Sequence, residues 1–272
     1  YAHVVAGAPV VDPADAALFR APANAIASRH PFLDCRWVAP RPQIEPDGLL
    51  APGAGFRRAV PEVRIALPGL ALPLTVIGVH LKAKGHGADR AAAAAMPDWD
   101  GRFRDYLRRR SAGMAGQAIR RAAEAMMLYD RAMAIVAADP AAPVAVMGDF
   151  NDDPDSMVMR SLTNNAETGQ IALPDPSPED RRAFFRWQLY DAGRLVFGAA
   201  RVPTHFSAAH GASVLDTVLV SNALNGSNTR GLARPVAAGV LTDLVAGQPD
   251  ARRASDHAPV FVRFATRSEA EP

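Results

Sequence analysis

Val144-Ala145-Val146-Met147-Gly148-Asp149-Phe150-Asn151-Asp152-Asp153-Pro154 is the stretch on which the fold turns. Four apolar residues in a row read as a buried strand, and Gly148 releases the chain into an acidic turn. In extended chain, residues i and i+2 point the same way. Asp149 and Asn151 are therefore expected to face one small ligand together, with Phe150 in the core. A carboxylate beside a carboxamide suits a hard cation plus a phosphoryl oxygen or a positioned water. Asp, Asn and Pro also build ordinary turns, so this stretch alone leaves both readings open.

Three further segments have the same form, polar groups at the end of an apolar strand. Val76-Ile77-Gly78-Val79-His80-Leu81-Lys82 puts His80 and Lys82 on one face, where two cationic groups suit a phosphate and a core histidine with a rim lysine is the alternative. Val214-Leu215-Asp216-Thr217-Val218-Leu219-Val220-Ser221 holds a carboxylate in an apolar run, which is costly unless partnered. A histidine from another strand, such as His257, would satisfy Asp216 and fix its own tautomer. Ser255-Asp256-His257-Ala258-Pro259 offers an oxygen ligand in Asp256 and a group titrating near neutrality in His257. Neighbours diverge in direction, so these three are not a serine triad. His205, in Pro203-Thr204-His205-Phe206, is pocket lining or structural.

The rest of the chain frames these segments. Strands are expected at 25–28, 63–67, 74–81, 144–147, 214–221 and 259–264, and Tyr1 to Val5 reads as a strand under way. An amphipathic helix capped by Ser111 should end before Pro140, with Arg120, Arg121 and Glu124 off its apolar stripe, and a second should follow Asp155. Arg41 to Gly55, Lys84 to Arg110 and Thr163 to Arg182 read as loops or insertions. One domain is expected over 1–266, with a frayed tail at 267–272. The 272 residues are 49% hydrophobic and 21% charged, which excludes wholesale disorder and a fibrous fold. No apolar run approaches ~18 residues, so no membrane span is expected. Cys35 is the single cysteine, which excludes an intramolecular disulfide and a cysteine-based zinc cluster. A formal charge of +2 is too small to imply a polyanion partner by itself. Lysine occurs only at 82 and 84, so 28 of the 30 basic residues are arginine. Arg102 to Arg110 could track a nucleic-acid backbone, with Phe103 and Tyr106 stacking on bases; a solvated helix face in an arginine-rich chain is the alternative.

In their order, these segments resemble the endonuclease/exonuclease/phosphatase superfamily, which has the deoxyribonuclease I-like fold. The resemblance rests on Gly148-Asp149-Phe150-Asn151 and Ser255-Asp256-His257, with support from His80-Leu81-Lys82-Ala83-Lys84 and Asn24-Ala25-Ile26-Ala27-Ser28-Arg29-His30-Pro31. It implies an α/β (α+β) fold, a sandwich of two mixed sheets flanked by helices. It further implies that Asp256 is a ligand of a catalytic divalent metal, Mg2+ by default and Mn2+ or Ca2+ as alternatives. Asp149 and Asn151 would contribute to that site or to the attacking water. His257, oriented by Asp216, would contact the scissile phosphate. His80 would sit on its other side, with Lys82 and His205 as substrate contacts.

The reaction implied is water attack on a phosphoester, with nuclease or phosphodiesterase activity first. A lipid or small-molecule phosphatase and a catalytically silent binding module are the alternatives. The substrate partner would be a phosphoester, nucleic acid included; no obligate protein partner is evident, and no compartment is marked. One departure stands out. The family opens with an asparagine-bearing strand and then a strand ending in Gln-Glu, whose glutamate is a metal ligand. Neither is found before His80, so several tens of residues, that glutamate included, are expected upstream of Tyr1.

Overall fold

The computed structural model describes residues 1–8, 10–11, 19–21, 23–39, 55–85, 98–164, 177–198, 200–207, 211–246 and 255–267. Most of the Arg41–Gly55 loop, residues 86–97, residues 165–176 and the tail from 268 lie outside them. Its centre is a mixed six-stranded sheet of β5 (Phe32–Trp37), β6 (Pro61–Ile65), β7 (Leu74–His80), β8 (Val144–Asp149), β9 (Tyr190–Asp191) and β12 (Asp216–Val220). The spatial order is β5-β6-β7-β8-β12-β9, with β7 and β8 parallel and the other pairs antiparallel.

Strand alternation decides what each face buries. Ile77, Val79, Val144, Val146 and Leu219 face one way and meet Ala125, Leu128, Ala132 and Val136 of the long helix α1 (Trp99–Ala138). Met159 and Leu162 of α2 (Met157–Thr163) complete that layer. Ile77, Leu128 and Leu219 are fully buried, each contributing about 2 kcal/mol relative to exposure. The intervening residues face a second layer. Ala145, Val218 and Val220 pack on β13 (Ala233–Val240) and β14 (Val260–Thr266). Val63, Ile65 and Val76 pack on β1 (His3–Ala6) and β4 (Ala25–Ser28). Met147 touches both groups.

The two-layer, helix-flanked expectation holds, with one difference. Among the described residues the second layer is not a single mixed sheet. It is two separate antiparallel pairs, β1–β4 and β13–β14, with unpaired strand edges. The small pairs β2 (Val10–Val11) with β3 (Phe19–Ala21), and β10 (His205–Ser207) with β11 (Gly211–Ser213), form separate two-stranded sheets. No helix among the described residues is long and apolar enough to cross a membrane.

Helix α1 departs most from the sequence reading. It begins at Trp99, twelve residues before the Ser111 cap expected, so Arg102–Arg110 is helix and not loop. Asp98 is the cap: its Oδ1 accepts from the Gly101 N–H at 2.7 Å, and no proline follows until Pro140. Arg121 and Glu124 are buried, against the expectation that they lie off the stripe. The end of the Thr163–Arg182 loop is likewise helical: α3 (Pro178–Arg186) starts with a capping box between Ser177 and Asp180. A short helix α4 (Ala192–Phe197) and a 3-10 turn, Asn222–Leu224, follow, and α5 (Asp243–Ala246) precedes β14.

Candidate active site

Register brings the polar strand ends together. In the parallel β7–β8 pair His80 lies opposite Asp149, and in the antiparallel β12–β8 pair Asp216 lies opposite Asp149. Three strands therefore present His80, Asp149 and Asp216 in one row. The parity that puts Val76, Met147 and Val218 on the second-layer side puts these three there as well. Gly148 makes the approach possible. Its φ is +136°, and a Cβ there would lie 2.1 Å from the Val79 carbonyl oxygen.

His257 enters the row from the last segment before β14. Its Nδ1 lies 2.7 Å from Asp216 Oδ2 and its Nε2 3.9 Å from Asp149 Oδ2. His80 Nε2 reaches the same Asp149 oxygen at 3.2 Å. Asp216 is held in turn by Thr204, whose buried hydroxyl accepts from the Leu215 and Asp216 amides at 2.9 and 3.0 Å. Backbone bonds from Phe206 N to Asp256 O and from Ala258 N to Thr204 O zip the Ser255–His257 segment to β10. The His205 and His257 rings are consequently 4.8 Å apart. His205 Nδ1 pairs with Ser213 Oγ at 3.0 Å, and its Nε2 is 3.3 Å from Asp256 Oδ2. Asp256 and His257 do diverge, one toward His205 and the other toward Asp216.

Asn151 meets Asp149, but not by strand alternation. Its φ is +53°, so the strand has already ended. An Asx turn forms instead: Asp149 Oδ1 accepts from the Asn151 N–H at 2.7 Å, and Oδ2 accepts from Asn151 Nδ2 at 3.0 Å. Nδ2 also donates to the Leu81 carbonyl at 2.9 Å, which leaves the amide oxygen as the free end of the group. Phe150 is fully buried, as expected.

The electrostatics divide the two histidines. Burial, with Arg58 and His257 nearby, lowers His80 to about 4, so its imidazole is neutral at physiological pH. His257 moves the other way, raised by its hydrogen bond to Asp216 against the opposing effect of burial. Burial pushes the Asp149 carboxyl up to about 6, a value suited to proton exchange.

Three residues not assigned to the site from the sequence, Arg58, Glu124 and Arg121, complete the surroundings. Arg58 Nη1 donates to the His80 and Leu81 carbonyls at 3.3 and 3.2 Å, while its buried Nε has no partner among the described residues. Glu124 accepts from the Arg57 and Lys82 amides at 2.8 and 2.7 Å. Arg121 donates to the Lys82 carbonyl at 3.1 Å and to Asp152 Oδ2 at 2.6 Å. Lys82 is thus fixed by its backbone, and Lys84 pairs with Asp152 at 3.2 Å. A lone arginine among 28 carries no sequence signal. Arg121 and Glu124 do carry one, since with Ala125, Leu128 and Ala132 they share a single helical stripe.

The Arg121–Asp152 pair is under a tenth exposed. Burial alone would raise Asp152, but the hydrogen bond and charge of Arg121, with those of Lys84, outweigh it and lower the pKa. A depressed folded pKa stabilises above the unfolded aspartate value of about 3.9 and is lost as pH falls through the folded value. Asp152→Asn is expected to destabilise by about 3 kcal/mol near pH 7, because Arg121 is left buried and unpaired. Thermal melts should show the gap to wild type closing below about pH 4.

Two groups have the donor chemistry for a cation, with ligand atoms within 4.8 Å of one another: His205, Asp256 and His257, and Asp149, Asp216 and His257. The first group has two imidazoles and one carboxylate; in the second, two carboxylates outnumber one imidazole and the Asn151 amide group adjoins Asp149, a set that fits a hard divalent ion.

The sequence matches the Endonuclease/Exonuclease/phosphatase family over residues 20–257, and the chain belongs to that family. Membership supports a phosphoester hydrolase. The human Nocturnin catalytic domain is a structural relative at 15% identity and TM-score 0.53, covering 97% of this chain and 72% of that one. This likeness shows the deoxyribonuclease I-like fold. A Neisseria 3′ phosphatase bound to a product DNA hairpin is 19% identical (TM-score 0.47, 89% of this chain and 74% of that one). An endonuclease/exonuclease/phosphatase from Beutenbergia cavernae is also 19% identical (TM-score 0.49, 98% and 54%). No curated protein matches the sequence.

Proposed function

We propose that this chain hydrolyses phosphodiesters by metal-assisted attack of water, with nucleic acid as the first substrate class. The observation that carries the reading is the Asp149 carboxylate, set between neutral His80 and Asp216-oriented His257. Asp149 takes the proton of the attacking water. The Asn151 amide oxygen orients that water or a phosphate group. His257, kept cationic more readily by Asp216, donates through Nε2 to a phosphoryl oxygen. His80, with its low pKa, donates as a neutral imidazole rather than acting as an acid. The divalent ion, Mg2+ where oxygen ligands prevail, would be held by Asp256 with His205 and His257, or by Asp149 and Asp216 with Asn151 beside them; when bound it supplies positive charge to the phosphoryl oxygens. Lys82 and His205 would line the approach.

The outer part of α1 favours a polymeric anion. Arg121 and Glu124 bind the loop just past the end of β7, so residues 99–120 extend about 30 Å beyond that rim. This arm carries exposed Trp99 and Phe103 rings stacked at 5.6 Å, with Arg102 over Trp99. Aromatic and guanidinium faces suit splayed bases and phosphates.

The test is a panel of plasmid DNA, RNA, an abasic-site duplex, sphingomyelin and inositol phosphates, with and without Mg2+, beside Asp256→Ala. Mg2+-dependent release from a nucleic acid, lost in Asp256→Ala, is expected. Release only from lipid or inositol phosphates would move the substrate class to the alternative reading. Nucleic-acid cleavage that survives Asp256→Ala would overturn the metal assignment.

A further inference from the structure

A second concentration of positive charge lies at the opposite end of the sheet. Arg182 and Arg186 of α3 and Arg230, beyond the 3-10 turn, line a cavity of about 780 Å3. The turn and Tyr190 adjoin the Val220 end of β12, whereas Asp216 begins that strand, so the cavity is on the order of 15 Å or more from the catalytic row. No described carboxylate lines it. Several arginines elsewhere have acidic partners: Arg121 has Asp152, Arg131 has Glu62, and Arg201 has Asp191 and Asp155. Among the described residues Arg182, Arg186 and Arg230 have none. Arg182 and Arg186 stand one helical turn apart, where like charges repel. An anion between them would relieve that repulsion.

The walls are built rather than incidental. Tyr190 Oη donates to the Phe185 carbonyl at 2.8 Å, tying α3 to the sheet edge. Asn228 Nδ2 donates to the Asn222 carbonyl at 2.9 Å, and Arg267 clamps the Gly226 and Asn228 carbonyls. Phe185, 47% exposed, offers a flat apolar surface beside the guanidinium groups.

We propose that this cleft binds a phosphorylated small molecule of nucleotide type, its phosphate on Arg182, Arg186 and Arg230 and its ring against Phe185. Guanidinium forks match phosphate oxygens in pairs, which a scattered arginine surface does not. The proposal does not depend on the catalytic reading.

Trp187 adjoins Arg186 and is 39% exposed, so in a background with Trp37→Phe and Trp99→Phe its fluorescence is a local reporter. Titration with AMP in EDTA, where turnover is suppressed, should give saturable quenching in wild type and equally in His257→Ala. The double variant R182E/R186E should weaken binding about tenfold or more. Both side chains lie outside the buried core, and its circular dichroism and melt should match wild type. Arg230→Ala should weaken binding without reversing charge, which guards against a folding defect on α3. Quenching lost in His257→Ala but intact in R182E/R186E would place the nucleotide in the catalytic row and overturn the proposal, as would no saturable quenching at millimolar AMP. A short oligonucleotide forms the second arm. If it binds more tightly than AMP and loses that binding on charge reversal, the same contacts hold a polynucleotide backbone, and the small-molecule assignment fails.

Discussion

Asp149→Asn should lower kcat on the best phosphoester substrate by about a thousandfold with little change in KM. The substitution keeps size and shape, and an amide can still accept the Asn151 N–H through its oxygen. What is lost is the basic oxygen that His80 and His257 both approach. A pH profile separates this from a structural fault. In wild type the rate should rise with pH as Asp149 ionises, at or below about pH 6, since burial raises the group to about 6 and a bound cation lowers it again. The variant should lose that acid limb. A variant with near wild-type kcat, or with the limb intact, would remove Asp149 from the role of base.

Gly148→Ala should be the most damaging single substitution to the fold, at about 3–5 kcal/mol. Two effects combine there. The backbone φ of +136° lies in a region closed to side chains, and the new Cβ would meet the Val79 carbonyl oxygen at 2.1 Å. Relief requires β7 and β8 to separate just where their register sets His80 beside Asp149. Denaturant melts should show a large drop in midpoint, and the folded fraction should hydrolyse substrate poorly. A melt within 1 kcal/mol of wild type would mean that the strands can part without loss and that the row is not rigid.

Much of this is written locally. Val144–Met147 reads as a buried strand because its residues do pack on both faces, odd and even alternately. Ala25–Ser28 and Met157–Thr163 were legible for similar reasons, one from alternation and the other from the apolar residues in its turns after Asp155; Ser156 is the cap. Helix α1 was misjudged at its start because a cap signal was weighed at Ser111, while Asp98 binds the first turn and nothing between breaks the helix. Strands β5 and β13 went unread because their burial is partial and their partners distant: β5 pairs with β6 across residues 38–60, and β13 with β14 across residues 241–259.

The polar strand ends marked which residues to expect at a site, and a carboxylate inside an apolar strand demanded a partner wherever the chain ran. Those requirements are local, set by desolvation and by alternation, so the order of residues alone determined them. Which groups actually meet is another matter. That His80 and Asp216 flank Asp149 follows from strand register, and Asn151 reaches it through a left-handed turn rather than extended chain. Arg58, Arg121 and Glu124 hold the rim through contacts that bring together residues tens of positions apart, and Arg182, Arg186 and Arg230 share a cleft only because α3 folds beside the 3-10 turn. Coulomb and hydrogen-bond energies depend on distance in space, which the chain acquires only when its layers close.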